Sequence, residues 1–237
     1  MRRPCKTIKK DQNNMVSLAG IKISHTYRFF KALKDVSIAL QRGECYALFG
    51  QNGAGKTTLM KIFATLLQPT CGTVSIMGKD TVEDREAARQ ALFFMGHGSF
   101  LYDDLTAIEN IEFAMGLRGF RPSLRDIKIT LDRVGIGPYA SQKSRHLSAG
   151  MQKRLSLAKA ILANPNLLLL DEPYASLDEK GIDIMNESIR GFLHQGAAVL
   201  ISSHDRVKTA EVAHRAGILH NKGLKEIPIA ELAYALF

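Results

Sequence analysis

A glycine-rich stretch at residues 50–58 constrains the fold of this chain more than any other feature. It fits the pattern Gly-x-x-x-x-Gly-Lys-Ser/Thr from Gly50 to Thr57, between an apolar run of strand length and a helix-favouring run over residues 59–67. In that context glycines let backbone N–H groups turn towards an anion, and the helix N-terminus adds about half a positive charge. The sequence therefore predicts an α/β domain that binds a phosphorylated ligand.

The polar residues of this loop have predicted roles. We expect Lys56 to pair with the β- and γ-phosphates of a nucleotide, and the Thr57 hydroxyl to ligate Mg²⁺. A glycine-rich turn that binds nothing is the alternative, and the motifs described below argue against it. The residues predicted to surround the nucleotide are Gly50, Gln51, Asn52, Gly53, Ala54, Gly55, Lys56, Thr57 and Thr58.

Two acids follow a second apolar run. Four consecutive leucines at 167–170 indicate a buried parallel strand, and Asp171 and Glu172 come directly after it. The C-terminal end of such a strand is where an open α/β sheet places its ligand. One carboxylate there can hold Mg²⁺ and its waters, while the next orients or deprotonates an attacking water. His204 follows a further apolar strand, at 197–203, from which an imidazole can reach a γ-phosphate.

The segment from about 98 to 162 is predicted to be mostly helical, whereas strands and helices alternate around it. Thr106 and Glu109 form a capping-box pattern, which predicts a helix that ends near residue 117. We interpret this segment as a helical subdomain inserted into one domain that spans residues 15–237. The remaining predictions are strands within 16–44 and over 72–80, helices at 83–90, 123–134, 139–144, 151–162 and 180–194, two short strands at 216–219 and 224–227, and a closing helix at 229–237.

Composition restricts the location of the chain and its partners. Its 237 residues carry a net charge of +9, which suits a nucleotide site, nucleic acid or an anionic membrane surface. No apolar run approaches the roughly 18 residues of a membrane span. Three cysteines without metal spacing favour a reduced, cytoplasmic setting. Residues 1–14 form a basic tail, which is either solvated or attracted to a membrane surface.

Taken in order, the motifs resemble those of the ATP-binding-cassette (ABC) ATPases over residues 16 to about 222. The resemblance implies a P-loop core sheet, an N-terminal antiparallel β subdomain and an inserted helical subdomain. It also implies that Tyr27 stacks on the adenine ring, although from spacing alone ordinary packing of that aromatic is preferred. The motifs that carry the resemblance are the glycine loop, Leu147–Gly150, Leu167–Pro173, Ser176–Asp178 and Ser202–Asp205.

The resemblance assigns further roles. Asp171 matches the aspartate that binds Mg²⁺ with ATP, Glu172 the catalytic glutamate, Asp178 the D-loop and His204 the switch histidine that contacts the γ-phosphate. Ser148, Ala149, Gly150 and Met151 match the signature segment, which in the family completes the site of the opposite subunit. From the residues alone, Ser148 is either a helix N-cap or part of an anion site. The resemblance therefore implies a second cassette protomer, most simply a second copy of this chain.

Two departures from the family pattern affect these expectations. Ala149 and Met151 replace glycine and glutamine of the usual signature, whereas the phosphate-facing Ser148 and Gly150 are kept, so a working site is expected. His97 stands in place of the usual Q-loop glutamine. Imidazole is a poor ligand for a hard cation such as Mg²⁺, so we expect His97 to couple the site to a membrane subunit and not to bind the metal.

The segment around His97 narrows the resemblance. Gly96-His97, followed by Leu101–Asn110, is similar to the ATPase subunit of the haem exporters of cytochrome c maturation. Such a subunit works with an integral membrane transporter subunit, peripherally on the cytoplasmic face of the inner membrane, and binds no specific nucleic acid. Drug or lipid export is the alternative, and a non-transport cassette ATPase acting on ribosomes or nucleic acid is a second one. A P-loop GTPase is disfavoured because Asn221–Leu224 lacks the aspartate of the guanine-reading motif.

Overall fold

The computed structural model of the protein describes residues 16–96, 98 and 100–231. Strands and helices alternate along most of this range, as the sequence predicts. The strands are β1 (Val16–Tyr27), β2 (Phe30–Gln41), β3 (Cys45–Gly50), β4 (Cys71–Ile76), β5 (Lys79–Asp80), β6 (Leu92–Met95), β7 (Leu167–Asp171), β8 (Ala198–Ser202), β9 (Arg215–His220) and β10 (Gly223–Ile227). The helices are α1 (Lys56–Phe63), α2 (Arg85–Ala91), α3 (Ala107–Gly116), α4 (Leu124–Arg133), α5 (Ala149–Ala163), α6 (Glu179–His194) and α7 (Arg206–Ala210).

The central sheet is mostly parallel and has the strand order β10-β9-β3-β8-β7-β6, in which β10 alone is antiparallel to its neighbour. Its middle strands are β3, β8 and β7. In their register Ser202 of β8 lies opposite both Leu48 of β3 and Asp171 of β7. The loops that leave these three strands therefore emerge side by side at one edge, where an open α/β sheet binds its ligand.

A second, antiparallel sheet has the order β2-β1-β4-β5. Strands β1 and β2 form a long hairpin in which Tyr27 pairs with Phe30. Hydrophobic residues of β2 alternate with polar ones, and the apolar side is buried, as expected for a sheet with one covered face. The two sheets and the helices confirm the predicted fold class, an ABC-type α/β core with an N-terminal antiparallel β subdomain and a helical region.

The central sheet is buried on both faces. Successive side chains of β7 point to opposite sides of the sheet, so they pack into two different clusters. Leu167 and Leu169 pack against α1 and the antiparallel sheet, in one hydrophobic cluster. Leu168 and Leu170 belong to a second cluster, which α3, α4, α5 and α6 cover. This double burial explains why β7 consists of leucine without alternation.

Helices α3, α4 and α5 lie between β6 and β7, within the segment predicted to be a helical subdomain. Thr106 caps α3 as predicted: its hydroxyl accepts a hydrogen bond from Glu109 N, and the Glu109 carboxylate accepts one from Thr106 N. The predicted division of the chain, with one domain at 15–237 and a subdomain at 98–162, stays a prediction.

The predicted helix over 139–144 is wrong. Two 3-10 turns, Gly137–Tyr139 and Ser144–His146, flank this stretch instead. Its backbone bonds to the start of α3: Ala107 N donates to Gln142 O, and Ser144 N donates to Leu105 O. Hydrogen bonds to another element thus replace the bonds that a local helix would make.

Two other boundaries differ from the predictions. The single strand expected over 72–80 is a hairpin of β4 and β5, because Met77 and Gly78 both take positive φ, as a two-residue type I′ turn requires. Helix α1 ends at Phe63 and not at residue 67. Thr65 has a φ of 59°, and its carbonyl oxygen accepts hydrogen bonds from Arg85 and Arg89 of the following segment.

Two predictions concern the ends of the chain. The basic tail at 1–14 lies outside the described residues, as does most of the closing helix predicted at 229–237, of which Ile229–Glu231 forms a 3-10 turn. Helix α7 was not predicted; it is five residues long and is capped by Asp205. Within the described part of the chain, the helices fall short of the length and apolar character that crossing a bilayer requires.

Candidate active site

The glycine loop runs from the end of β3 to the start of α1, as predicted. Its three glycines have positive φ, 149° at Gly50, 80° at Gly53 and 107° at Gly55. A Cβ at Gly50 would lie 2.7 Å from the Leu219 carbonyl oxygen, and one at Gly55 would lie 2.9 Å from the Ala32 carbonyl oxygen. Conformation and close approach therefore both require glycine at Gly50 and Gly55.

Lys56 is the first residue of α1 and is buried. Its Nζ donates to Gly50 O at 2.6 Å and to Gln51 O at 3.4 Å, and lies 3.3 Å from His204 Nε2. Burial lowers the pKa of Lys56, and the nearby Glu172 and Asp171 carboxylates oppose this shift. The loop thus holds a cation beside its own backbone N–H groups, which is an arrangement suited to phosphate.

The two predicted acids lie at the edge where the loop begins. Asp171 ends β7, is 2% exposed and accepts a hydrogen bond from Ser202 Oγ. Glu172 follows with a φ of 52°, and its N–H donates to Ser202 O at 2.8 Å. The pairing of β7 with β8 therefore fixes both carboxylates next to Lys56.

His204 joins this group from the loop after β8. Its backbone N–H donates to Glu172 Oε2 at 3.2 Å, and its Nε2 lies 3.4 Å from Glu172 Oε1, at ion-pair distance. The structure thus brings together Lys56, Glu172 and His204, which the sequence placed on three separate segments. An imidazole and a carboxylate in contact, next to a phosphate-binding loop, are equipped to orient water and bind a phosphoryl group.

A cleft of about 700 Å³ contains these groups. Tyr27 is on its wall, 44% exposed, with its Oη 3.4 Å from Thr58 Oγ1. Phe30 also lines the cleft, so the β1–β2 hairpin contributes two aromatic rings; the sequence analysis considered Tyr27 alone, although Phe30 belongs to the same aromatic cluster. The predicted residues that line this cleft are Tyr27, Gln51, Asn52, Gly53, Gly55, Lys56, Thr57, Thr58, Glu172 and His204.

The donor set suits Mg²⁺ that arrives with a nucleotide. Thr57 offers a hydroxyl on the cleft wall, and Asp171 a carboxylate at the adjacent strand end. Over residues 16–96, 98 and 100–231, no three His, Cys, Asp or Glu side chains converge as a metal cage. A hydroxyl and one carboxylate, completed by phosphate oxygens and waters, are typical of a magnesium site and unlike a self-contained metal cage.

The signature residues lie apart from this cleft. Ser148 is the N-cap of α5, its hydroxyl accepts a hydrogen bond from Met151 N at 3.2 Å, and it is exposed with Ala149. Gly150 packs against the loop before α6, where an added Cβ would lie 2.6 Å from Ser176 O. The structure therefore presents Ser148 and Ala149 at the surface, outside the lining of the cleft that holds Lys56 and Glu172, and the predicted role of the signature in a partner's site stays a prediction.

Asp178 caps α6 by accepting a hydrogen bond from Gly181 N at 2.9 Å, and it also pairs with Arg154 of α5. Both interactions lower the pKa of this carboxyl group, with the Gly181 bond contributing more. Asp178 therefore joins the start of α6 to the signature helix. His97 lies outside the described residues.

The sequence analysis missed one charged residue at this edge. Lys153 of α5 is buried, and its Nζ donates to the carbonyl oxygen of Glu172 at 3.1 Å. A lysine among polar residues of an amphipathic helix predicts a solvent-facing side chain, so the sequence held no signal of this contact.

Comparison with known proteins gives concordant results. Residues 33–175 match the ABC transporter family. The chain is 33% identical over 179 residues to the ABC transporter ATP-binding protein NatA of Bacillus subtilis strain 168, covering 73% of this chain and 72% of NatA. It is 32% identical over 198 residues to the cytochrome c biogenesis ATP-binding export protein CcmA of Pseudomonas putida KT2440, covering 83% and 92%. A solved ATP-binding subunit of an ABC transporter superposes with a TM-score of 0.83 at 28% identity, covering 90% of both chains.

Proposed function

Because this chain belongs to the ABC transporter family, as an ATP-binding subunit, we propose that it hydrolyses ATP to power export through a separate membrane subunit. We further propose that the cargo is haem, for cytochrome c maturation. One observation carries the catalytic part of the proposal: at the mouth of the phosphate loop, His204 Nε2 lies 3.3 Å from Lys56 Nζ and 3.4 Å from Glu172 Oε1.

The residues of this edge divide the reaction among them. The loop N–H groups, the α1 N-terminus and Lys56 bind the triphosphate, while Tyr27 stacks on the base. Thr57 and Asp171 hold Mg²⁺, which when bound neutralises charge on the β- and γ-phosphates. Glu172 polarises the attacking water. His204, in contact with Glu172 and Lys56, donates a hydrogen bond to the γ-phosphate.

A second protomer completes the site in this proposal. Ser148 and Gly150 are at the exposed start of α5, outside the cleft of their own chain. Two chains arranged head to tail place each signature segment over the other's γ-phosphate, with the hydroxyl of Ser148 and the N-terminus of α5 facing the anion. Asp178, the N-cap of α6, pairs with Arg154 of α5, the helix that begins at the signature segment.

We propose that the membrane subunit docks on an exposed apolar surface beside the helical region. Leu117 is 74% exposed at the end of α3, and Phe100 and Tyr102 are exposed before it. Tyr102 packs edge-on against Phe113 at a centroid distance of 4.6 Å. Exposed aromatic and aliphatic side chains in such proximity are typical of an interaction surface. His97 belongs to the segment that leads into this surface, which supports its proposed coupling role. We propose that the chain works at the cytoplasmic face of the inner membrane.

Two observations support haem as cargo. The similarity to CcmA extends over 83% of this chain and 92% of CcmA. The segment from Gly96 to Asn110, which contains His97 in place of glutamine, is also similar to the haem-export ATPases. Similarity to NatA covers a smaller share of the chain, 73%, and drug or lipid export is the alternative that the cargo experiment has to distinguish.

The catalytic assignment is tested by Glu172→Gln. The amide keeps the size of the carboxylate but cannot accept a proton from the attacking water. ATP binding and dimerisation should therefore persist while turnover falls by a factor of at least about 100. ATP hydrolysis and ATP-dependent dimerisation by light scattering measure the two effects. Glu179→Gln, an exposed glutamate at the start of α6, is the matched control and should hydrolyse ATP as the wild type does. Wild-type turnover in Glu172→Gln would refute Glu172 as the base.

The cargo is tested with the same variant. Tagged Glu172→Gln is purified with ATP from detergent-solubilised native membranes, its partners are identified by mass spectrometry, and the eluate is scanned for a haem absorption band. A multi-span membrane subunit together with haem supports the proposal. A membrane subunit without haem would favour drug or lipid export, and ribosomal proteins or nucleic acid without a membrane subunit would favour a non-transport ATPase.

A further inference from the structure

Glu172 is held in an unfavourable backbone conformation. Its φ of 52° is in the left-handed region, which is unfavourable for a residue with a Cβ. The surroundings must therefore fix the peptide groups on both sides of Glu172. On one side its N–H donates to Ser202 O of β8 at 2.8 Å. On the other side its carbonyl oxygen accepts from Lys153 Nζ of α5 at 3.1 Å.

The Lys153 ammonium donates to this carbonyl oxygen from a buried position. The residue is only 9% exposed, and among the described residues it forms no ion pair with a carboxylate. Burial lowers the pKa of Lys153, and the charges of Asp171 and Glu172 oppose that shift without direct contact. A buried cation without an ion-pair partner is costly, so a neutral side chain of similar length would pack here at less expense in stability.

The position of Lys153 within α5 relates this contact to the rest of the molecule. Helix α5 begins at the signature, so Ser148 and Lys153 are five residues apart on one rigid element. The same helix contacts the D-loop through Arg154 and Asp178. A displacement of the signature end of α5 is therefore transmitted to the carbonyl group of Glu172.

We propose that Lys153 is a positioning residue for the reaction: its ammonium fixes the Glu172 backbone, and through it the angle at which the Glu172 carboxylate meets the attacking water. The proposal rests on the function of Glu172 proposed above. Lys153 touches no reacting atom. Its action is on turnover, because Lys153 is not among the residues that line the cleft proposed to bind the nucleotide.

The test compares three variants of the full chain. Lys153→Met removes the ammonium and keeps the apolar stem, Lys153→Arg keeps a donor, and Lys159→Met is the matched control. Lys159 is in the same helix, is 8% exposed and also donates to a carbonyl oxygen, that of Phe100 at 3.0 Å, remote from Glu172. For each variant kcat and KM for ATP, nucleotide affinity and the thermal midpoint are measured.

For Lys153→Met we expect kcat to fall about 10- to 100-fold, the loss typical of a hydrogen bond to a charged group, with KM changed less than about threefold. Lys153→Arg should recover most of the lost activity, because one guanidinium N–H can replace the ammonium donor. Lys159→Met should keep wild-type kcat. In a Glu172→Gln background, Lys153→Met should cause little further loss, because the carboxylate it positions is already gone.

Several results would overturn the inference. A wild-type kcat in Lys153→Met would do so, as would an equal loss in Lys159→Met, which would indicate a general effect on α5. Loss of activity in Lys153→Arg with an unchanged thermal midpoint would also contradict it. If Lys153→Met does not fold, Lys153→Gln replaces it, and the same comparison in the Glu172→Gln background decides the question. A wild-type chain without ATPase activity would instead refute the proposed function, which keeps the two failures distinct.

Discussion

The two anion-binding segments of this chain are built in different ways. The phosphate loop is continuous with a central strand: Gly50 ends β3, and the buried Lys56 contacts the loop backbone and His204 after β8. The signature segment begins a helix at the surface, where Ser148 caps its own helix and is exposed. Both have a helix N-terminus and small residues, but the first also has a buried lysine, and Glu172 and His204 line the same cleft.

This difference indicates which segment can act alone. The phosphate loop carries its binding groups in a conformation fixed by close approach of Leu219 and Ala32, so we expect a single chain to bind the nucleotide. The signature offers a hydroxyl and backbone N–H groups at the exposed start of α5. We infer that one segment supplies affinity and the other makes turnover depend on a second protomer.

The largest effect is predicted for Lys56→Ala, which tests whether the phosphate loop supplies the affinity for ATP. Removing the buried ammonium takes away a charge-assisted contact to phosphate, so ATP affinity of the single chain should fall by a factor of at least about 100. Lys61→Ala, on the exposed side of the same helix, is the control and should bind ATP normally. Titration with a fluorescent ATP analogue under conditions where the chain is monomeric measures both, and unchanged affinity in Lys56→Ala would count against the phosphate loop.

A second variant, Ser148→Arg, tests the signature segment. Ser148→Arg places a bulky side chain at the start of α5, so ATP affinity of the monomer should stay within about twofold, while dimerisation and turnover fall by about tenfold or more. Ser123→Arg is the matched control because Ser123 also caps a helix, accepts a hydrogen bond from Asp126 N and is exposed. Both variants lose an N-cap worth about 1 kcal/mol, so only a loss of turnover specific to Ser148 supports the role of the signature. Weak ATP binding by the Ser148→Arg monomer would contradict it.

Features that depend on local sequence, such as the phosphate loop, were predicted better than features that depend on contacts between distant segments. Glycine loops and leucine-rich strands are local patterns, and the capping box at Thr106 and Glu109 is local as well, so each was recognisable and the capping box is confirmed. The stretch 139–144 was wrongly predicted to be a helix because its hydrogen-bond partners, Leu105 and Ala107, are over 30 positions away in the chain. The contact of Lys153 with Glu172 likewise depends on how α5 meets β7, which no pattern of spacing contains.

The smallest predicted effect concerns how deeply α5, which carries the signature, is anchored. Burial lowers the pKa of Lys159 from 10.5 to about 8. Between these two values the unfolded chain is protonated and the folded chain is not, so this residue makes the free energy of unfolding rise with pH. The gain is about 1 kcal/mol from pH 7 to pH 9, or roughly 2–4 °C in the thermal midpoint.

Other groups titrate in this range, so the measured quantity is the difference in stability between the wild type and Lys159→Met at each pH. The groups that both chains share cancel in this difference, and it should shift in favour of the wild type by about 1 kcal/mol between pH 7 and pH 9. Lys128→Met, which removes an exposed charge of α4, is the control, and its difference from the wild type should stay nearly constant. If Lys159→Met behaves as Lys128→Met does, α5 is less firmly packed than its buried face indicates. The signature would then differ from the phosphate loop in the rigidity of its support as well as in its exposure.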